Sequence, residues 1–172
     1  MSADHSVAHS VAWSVNGSAQ TVSVAAHDLL IDVLRRDCGL TSVHSGCDTA
    51  QCGACTVIRD GKTIKACNVL ALQCIGSHIT TVEGLHHPTD PAQLHPLQTA
   101  FLKHHGLQCG YCTPGMLMRS VAMIDEPVPA NPDAVRHALS GNLCRCTGYQ
   151  GIVDAVCEGL TTMRAARGSA AL

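Results

Sequence analysis

The sequence predicts an α+β chain in two parts, a sheet-forming unit over residues 1–84 and an all-α unit over residues 85–172. Three observations carry this prediction. Apolar residues alternate in the first part and recur at three- and four-residue steps in the second, which is the change from strand period to helix period. Tight-turn pairs, Asn16-Gly17 and Asp60-Gly61, punctuate the first part, and helix-start pairs, Thr113-Pro114 and Asn131-Pro132, punctuate the second. Aromatic residues are 2% of the chain against eleven cysteines, so the core must be aliphatic or cross-linked by something inorganic.

The elements follow in order. Val11, Trp13 and Val15 alternate with small residues, Asn16-Gly17 turns the chain, and Val22 and Val24 alternate again: a hairpin. Leu29, Leu30, Val33 and Leu34 have helical spacing and stop near Gly39, which suits a helix packed across the sheet. Thr56 to Arg59 and Lys62 to Ala66 make a second hairpin about Asp60-Gly61, and Ile79 to Val82 a last strand. The segment His86-His87-Pro88-Thr89-Asp90-Pro91 reads as a linker. Beyond it, Leu97 and Phe101 open a helix that stops at Gly106, and Thr113-Pro114 starts one over Met116 to Ile124. Asn131-Pro132 starts a third, through Leu139 to Gly141, and Ile152, Val153, Val156, Leu160 and Met163 mark a fourth. Residues 164–172 are small and polar enough to fray.

A net charge of −2, with no basic run to neutralise a row of phosphates, argues against a nucleic-acid partner. The N-terminus has neither a basic nor an apolar signal region, and no stretch approaches the roughly 18 apolar residues of a membrane span, so a soluble cytoplasmic protein is expected. Eleven cysteines without a secretory signal read as metal ligands and free thiols before disulfides.

Cys47, Cys52 and Cys55 stand four residues and then two apart, with Cys67 eleven further on, the spacing of plant-type [2Fe–2S] ferredoxins. The loop from Ser45 to Cys55 has no apolar period and can wrap around a bound object. Two ferric ions, two sulfides and four thiolates carry a net negative charge, which backbone N–H groups must stabilise. Gly46 and Gly53 are expected to permit the left-handed turns that aim such groups inward. A structural zinc site is the competing reading, although zinc knuckles normally come in two Cys-x2-Cys pairs.

Cys109 and Cys112 lie immediately before the Thr113-Pro114 helix start, and Cys144 and Cys146 just before the last helix. Helix N-termini stabilise anionic sulfur. By spacing alone this set fits an iron–sulfur cluster, a zinc site or a redox dithiol. Cys38, Cys74 and Cys157 fit neither set and read as packed thiols. His86, His87, His104 and His105 read as solvated loop or helix ends, with a histidine metal site as the weaker reading.

Four blocks carry a wider resemblance: Gly46-Cys47-Asp48 with Gln51-Cys52-Gly53-Ala54-Cys55-Thr56; Thr80-Thr81-Val82-Glu83-Gly84; Gly106 through Gly115; and Gly141 through Tyr149. In that order they resemble the small iron–sulfur subunit of the xanthine dehydrogenase, or molybdenum hydroxylase, family, over Val11 to Ala155. The resemblance implies a β-grasp, plant-type ferredoxin-like domain followed by a four-helix domain, each with one [2Fe–2S] cluster. It further implies that Cys109, Cys112, Cys144 and Cys146 hold the cluster nearer molybdenum, and Cys47, Cys52, Cys55 and Cys67 the one nearer flavin. Gln108 matches the position that hydrogen-bonds the pterin, and Cys146 the ligand that also approaches it. The implied partners are a large subunit with molybdenum and molybdopterin cytosine dinucleotide and a medium subunit with FAD, assembled as a dimer of heterotrimers. The chain itself would be a non-catalytic electron-transfer subunit. It has no dinucleotide or phosphate loop of its own. A free ferredoxin-like carrier and a zinc-stabilised interaction module are the rival functions. Carbon monoxide, aldehydes, purines and N-heteroaromatics are the family's substrates, of which carbon monoxide and N-heterocycles are preferred here.

Overall fold

The computed structural model describes residues 7–86, 90 and 92–169. The chain before Val7, the linker residues His87, Pro88, Thr89 and Pro91, and residues 170–172 lie outside the described residues.

The first unit is a five-stranded sheet. β1 (His9–Val15) and β2 (Ser18–Val24) form an antiparallel hairpin, and β3 (Thr56–Arg59) and β4 (Lys62–Lys65) form another. Both turns are of the primed kind, with Asn16 and Gly17 at φ 51 and 81 and Asp60 and Gly61 at φ 48 and 81. β5 (His78–Thr80) enters between the hairpins, parallel to β1 and antiparallel to β3, so the order is β2-β1-β5-β3-β4. Val11, Trp13 and Val15, one face of β1, are buried with Leu30, Ile31, Val33 and Leu34 of α1 (Leu30–Arg36), Val57 and Ile79.

Two strand ends differ from expectation for local reasons. The fourth strand stops at Lys65, because Ala66 turns to donate its N–H to the Cys55 carbonyl (3.1 Å) and opens a short 3-10 turn that carries Cys67. The fifth stops at Thr80. Thr81, fully buried, is held by Asn16, whose Oδ1 accepts the Thr81 N–H (2.9 Å) and whose Nδ2 donates to Thr81 Oγ1 (3.0 Å), and Val82–Gly84 then coil as a 3-10 turn.

The second unit contains α2 (Pro96–Lys103), α3 (Thr113–Ala122), α4 (Pro132–Ala138) and α5 (Gln150–Ser169). The Asn131 side chain accepts from Ala134 N–H (3.0 Å), the N-cap that its sequence announced. α5 packs on α2 and α4, burying Ile152, Val153, Val156 and Leu160 against Leu97, Phe101, Val135 and Leu139. A Cβ on Gly159 would strike the Leu97 side chain, so this glycine sets how closely α2 and α5 approach. Val82 and Leu85, on either side of residue 84, also pack against this helical core.

Among the described residues the fraying expected from residue 164 is not observed. α5 continues to Ser169 because the Arg164 guanidinium donates to the carbonyls of Met123, Ile124, Glu126 and Val128, at 2.6 to 3.3 Å. His104 is also less solvated than expected, since its ring and Lys103 Nζ share the Glu158 carboxylate (2.7 and 2.6 Å). His86 and His105 are exposed. Among the described residues no helix is long and apolar enough to cross a membrane.

Candidate functional site

The first cysteine set occupies the loop between α1 and β3 together with the 3-10 turn after β4. Cys47 Sγ accepts hydrogen bonds from the Cys52 and Thr49 backbone N–H groups at 3.3 and 3.5 Å. Hydrogen bonding from Thr49 and Cys52 holds the Cys47 thiol down at about 6, so it is disposed to be a thiolate. Cys55, paired with Cys67, is pushed up to about 11 by burial. The loop turns inward at three left-handed residues, Asp48, Ala50 and Gly53, with φ of 53, 59 and 75. Gly46 is not among them. Its requirement is space, because a Cβ there would stand 2.9 Å from Cys52 Sγ.

The second set joins the loop before α3 to the loop before α5. Cys109 Sγ and Cys146 Sγ stand 3.6 Å apart, close to the separation of about 3.8 Å that two thiolates take on one tetrahedral metal with bonds of roughly 2.3 Å. Cys112 and Cys144 form the other pair; burial pushes Cys112 up to about 12. Burial also acts to raise Cys144, but hydrogen bonds with Thr147, Cys146 and Cys112 together lower the thiol. Tyr149 fixes this loop, its hydroxyl oxygen accepting from the Cys144 N–H at 2.8 Å. Cys109 and Cys146 are exposed, as is their neighbour Gln108. A cavity of about 510 Å³ opens here, lined among others by Cys52, Ala54, Cys112, Cys144 and Cys146.

In the second set the sulfurs fall into pairs, Cys109 with Cys146 and Cys112 with Cys144, and in the first set Cys55 pairs with Cys67. Among the described residues no three His, Cys, Asp or Glu side chains gather around a single ion position. A binuclear cluster takes two thiolates on each iron, and this donor pattern fits it. Thr113, next to Cys112 at the start of α3, supports the same fit: its Oγ1 is buried without a hydrogen-bond partner, a donor that cluster sulfur can accept. Cys38, Cys74 and Cys157 pack against the two cores, with thiols raised chiefly by burial.

The two sets are bound to each other by contacts that the sequence did not disclose. Leu143 N–H donates to the Cys52 carbonyl at 2.8 Å, joining a residue of one set to the chain neighbour of Cys144 in the other. His44 stacks on Tyr111, with ring centroids 4.3 Å apart, and donates from Nδ1 to the Tyr111 carbonyl (2.8 Å), while Tyr111 Oη donates to the Ser45 carbonyl (2.7 Å). Lys65 Nζ donates to the Gly141 carbonyl. Asn142, 3% exposed, turns its Nδ2 towards three acceptors, the carbonyls of Gly53 and Gly115 and Thr56 Oγ1, at 3.0, 3.1 and 3.2 Å, its two N–H groups being shared among them. Tyr111, Gly141, Asn142 and Leu143 lie in blocks that carry the family resemblance, whereas His44 and Lys65 had no signal beyond nearness to a cysteine.

Residues 14–75 match the 2Fe-2S iron-sulfur cluster binding domain and residues 81–157 the [2Fe-2S] binding domain. The chain is 49% identical to the nicotine 6-hydroxylase small subunit of Paenarthrobacter nicotinovorans, over 84% of this chain and 85% of that one. It is 44% identical to the caffeine dehydrogenase subunit gamma of Pseudomonas sp. strain CBB1, over 86% and 89%. Its fold superposes on quinoline 2-oxidoreductase from Pseudomonas putida 86 with a TM-score of 0.86 and 40% identity, covering 94% of this chain and 98% of that chain. A sheet unit and a helical unit, each matched to a [2Fe–2S] family, define a two-cluster iron–sulfur protein. More narrowly, the chain belongs to the small iron–sulfur subunits of the xanthine dehydrogenase, or molybdenum hydroxylase, family. It is the non-catalytic electron-transfer subunit of a multi-subunit oxidoreductase.

Proposed function

We propose that Cys47, Cys52, Cys55 and Cys67 hold one [2Fe–2S] cluster in a β-grasp, plant-type ferredoxin-like domain over residues 1–84. Cys109, Cys112, Cys144 and Cys146 hold the second in a four-helix domain over residues 85–172. Each bound cluster takes up and releases one electron at a time. The chain's own residues supply the ligands, the N–H groups that stabilise sulfur, and a short connection between the sites. The observation that carries this reading is the Leu143 to Cys52 hydrogen bond, which brings the two ligand loops into direct backbone contact.

The direction is the one that the family resemblance implies, and exposure agrees with it. Cys109, Cys146 and Gln108 lie at the surface, whereas Cys55 and Cys67 are buried. In our reading the exposed edge meets the pterin of a large subunit carrying molybdenum and molybdopterin cytosine dinucleotide. Gln108 offers both a donor and an acceptor there, and Cys146 lies beside it. Electrons leave on the first-set side towards FAD on a medium subunit, in a cytoplasmic dimer of heterotrimers. Thiolate-ligated clusters suit a reducing compartment. The names of the nicotine, caffeine and quinoline enzymes support an N-heteroaromatic substrate for the whole complex.

The test is Cys109→Ser in the assembled complex. Wild type should contain about four irons and four sulfides per chain, two clusters of two. The variant should lose one reduced-state EPR species and turnover while the other species persists. Survival of both signals, or zinc in place of iron, would sink the assignment.

A further inference from the structure

We propose that Asn142 is the positioning residue for the inter-cluster step. It holds the two ligand loops at the separation over which a single electron leaves the second-set cluster, oxidising it, and reduces the first-set cluster. The proposal rests on the ligand assignment above and adds a residue that is neither a ligand nor part of the Leu143 to Cys52 bond.

Asn142 lies between Gly141 and Leu143, one residue before the N–H that meets the Cys52 carbonyl. Its amide is buried and reaches three acceptors that belong to different parts of the molecule. Gly53 O lies in the first-set loop, between Cys52 and Cys55; Thr56 Oγ1 begins β3; Gly115 O lies in the first turn of α3, three residues after Cys112. Carbonyl oxygens only accept, so the side chain must present its NH2 group here, and its orientation is fixed. Thr56 Oγ1 donates its own proton to Gly53 O (2.7 Å), which leaves the hydroxyl oxygen free to accept from Asn142. The amide thus ties the loop of the first set, the helix start of the second set and its own loop to one point.

The surroundings are built to that amide. A Cβ on Gly53, itself at φ 75, would stand 2.6 Å from Asn142 Nδ2, and a Cβ on Gly115 would meet the Gly53 carbonyl. Both glycines admit the close approach that these contacts require. No ionisable group takes part in the network, so it is independent of pH. Asn142→Asp keeps the size and replaces the NH2 group by an oxygen facing two carbonyls, which repels what the amide draws together. Asn142→Ser is a milder change that leaves one hydroxyl donor on a shorter side chain.

The experiment uses both variants in the assembled complex. Iron content and the two EPR signals report the clusters, the magnetic splitting between the two reduced clusters reports their separation, and flash reduction reports the inter-cluster rate. Asn142→Asp should keep both EPR signals, weaken the splitting and slow inter-cluster equilibration relative to wild type. Asn142→Ser should fall between it and wild type. Full cluster content with unchanged splitting and rate in both variants overturns the proposal. Loss of a cluster from both variants also overturns it, because Asn142 would then serve assembly rather than positioning. Failure of the underlying reading is separate: it would appear in the wild-type complex as absent iron or a missing second signal.

Discussion

At the residue scale, the site depends on where side chains are missing as much as on the ligands. Gly115 is the clearest case. It sits in the first turn of α3, where a Cβ would stand 2.1 Å from the Gly53 carbonyl oxygen and 3.1 Å from the Ala54 backbone, a collision with backbone that no rotamer change can relieve. Gly115→Ala should therefore cost about 1–3 kcal/mol by overpacking. For a chain of this size that is a fall in Tm of about 2–4 °C per kcal/mol, readable by calorimetry on the loaded protein. An unchanged Tm would mean that the two units separate more easily than their contacts indicate. The ligands were legible in the sequence because a cluster imposes fixed spacings on a loop. The partners of Gly46, Gly53 and Gly115 were not, because each is excluded by an atom from elsewhere: Cys52 Sγ, Asn142 and the Gly53 carbonyl. A glycine in a cysteine loop suggests a left-handed turn, and for Gly53 that held; for Gly46 the constraint was space.

At the element scale, local signals located most of the structure. Asn16-Gly17 and Asp60-Gly61 marked both hairpins, and Pro at the first turn marked α3 and α4. Elements whose limits depend on distant partners were not legible. β5 is short and takes its place from pairing with β1 and β3, more than sixty and about twenty residues away. The end of α5 is another example. Its composition suggests fraying, yet Arg164 reaches across to four carbonyls in the segment that follows α3. Arg164→Ala should leave those carbonyls partly unpaired and cost on the order of 2–3 kcal/mol, since bonds to a charged donor are the stronger kind. Hydrogen exchange should show faster opening at the C-terminal turns of α5 and after α3, with the sheet unaffected. Uniform protection identical to wild type would show that α5 is held by its apolar face alone.

At the scale of the whole molecule, two apolar cores are joined by a seam of packing and hydrogen bonds. One core lies between the sheet and α1, the other among the helices; between them α3 packs on β3 and β4 and Val82 on the helical core, and hydrogen bonds run through Cys52 to Leu143, Asn142, the His44–Tyr111 pair and Lys65 to Gly141. An electron carrier with two sites needs this arrangement, because two independently moving units would let the distance between sites vary. Stability should then be shared across the seam, although each core could open by itself once the seam is cut. Native-state hydrogen exchange tests this, since it resolves opening region by region. In the wild-type protein the slowest amides of β1 and of α5 should exchange with the same opening free energy. In the double variant Lys65→Ala, Tyr111→Phe, which loses the bonds to Gly141 O and Ser45 O while sparing every ligand and Asn142, the two groups of amides should separate. If they already differ in wild type, the seam only aligns the units and does not couple them. If they stay equal in the double variant, the Asn142 amide, the Leu143 N–H and the packing of α3 on β3 and β4 are sufficient to hold the units together.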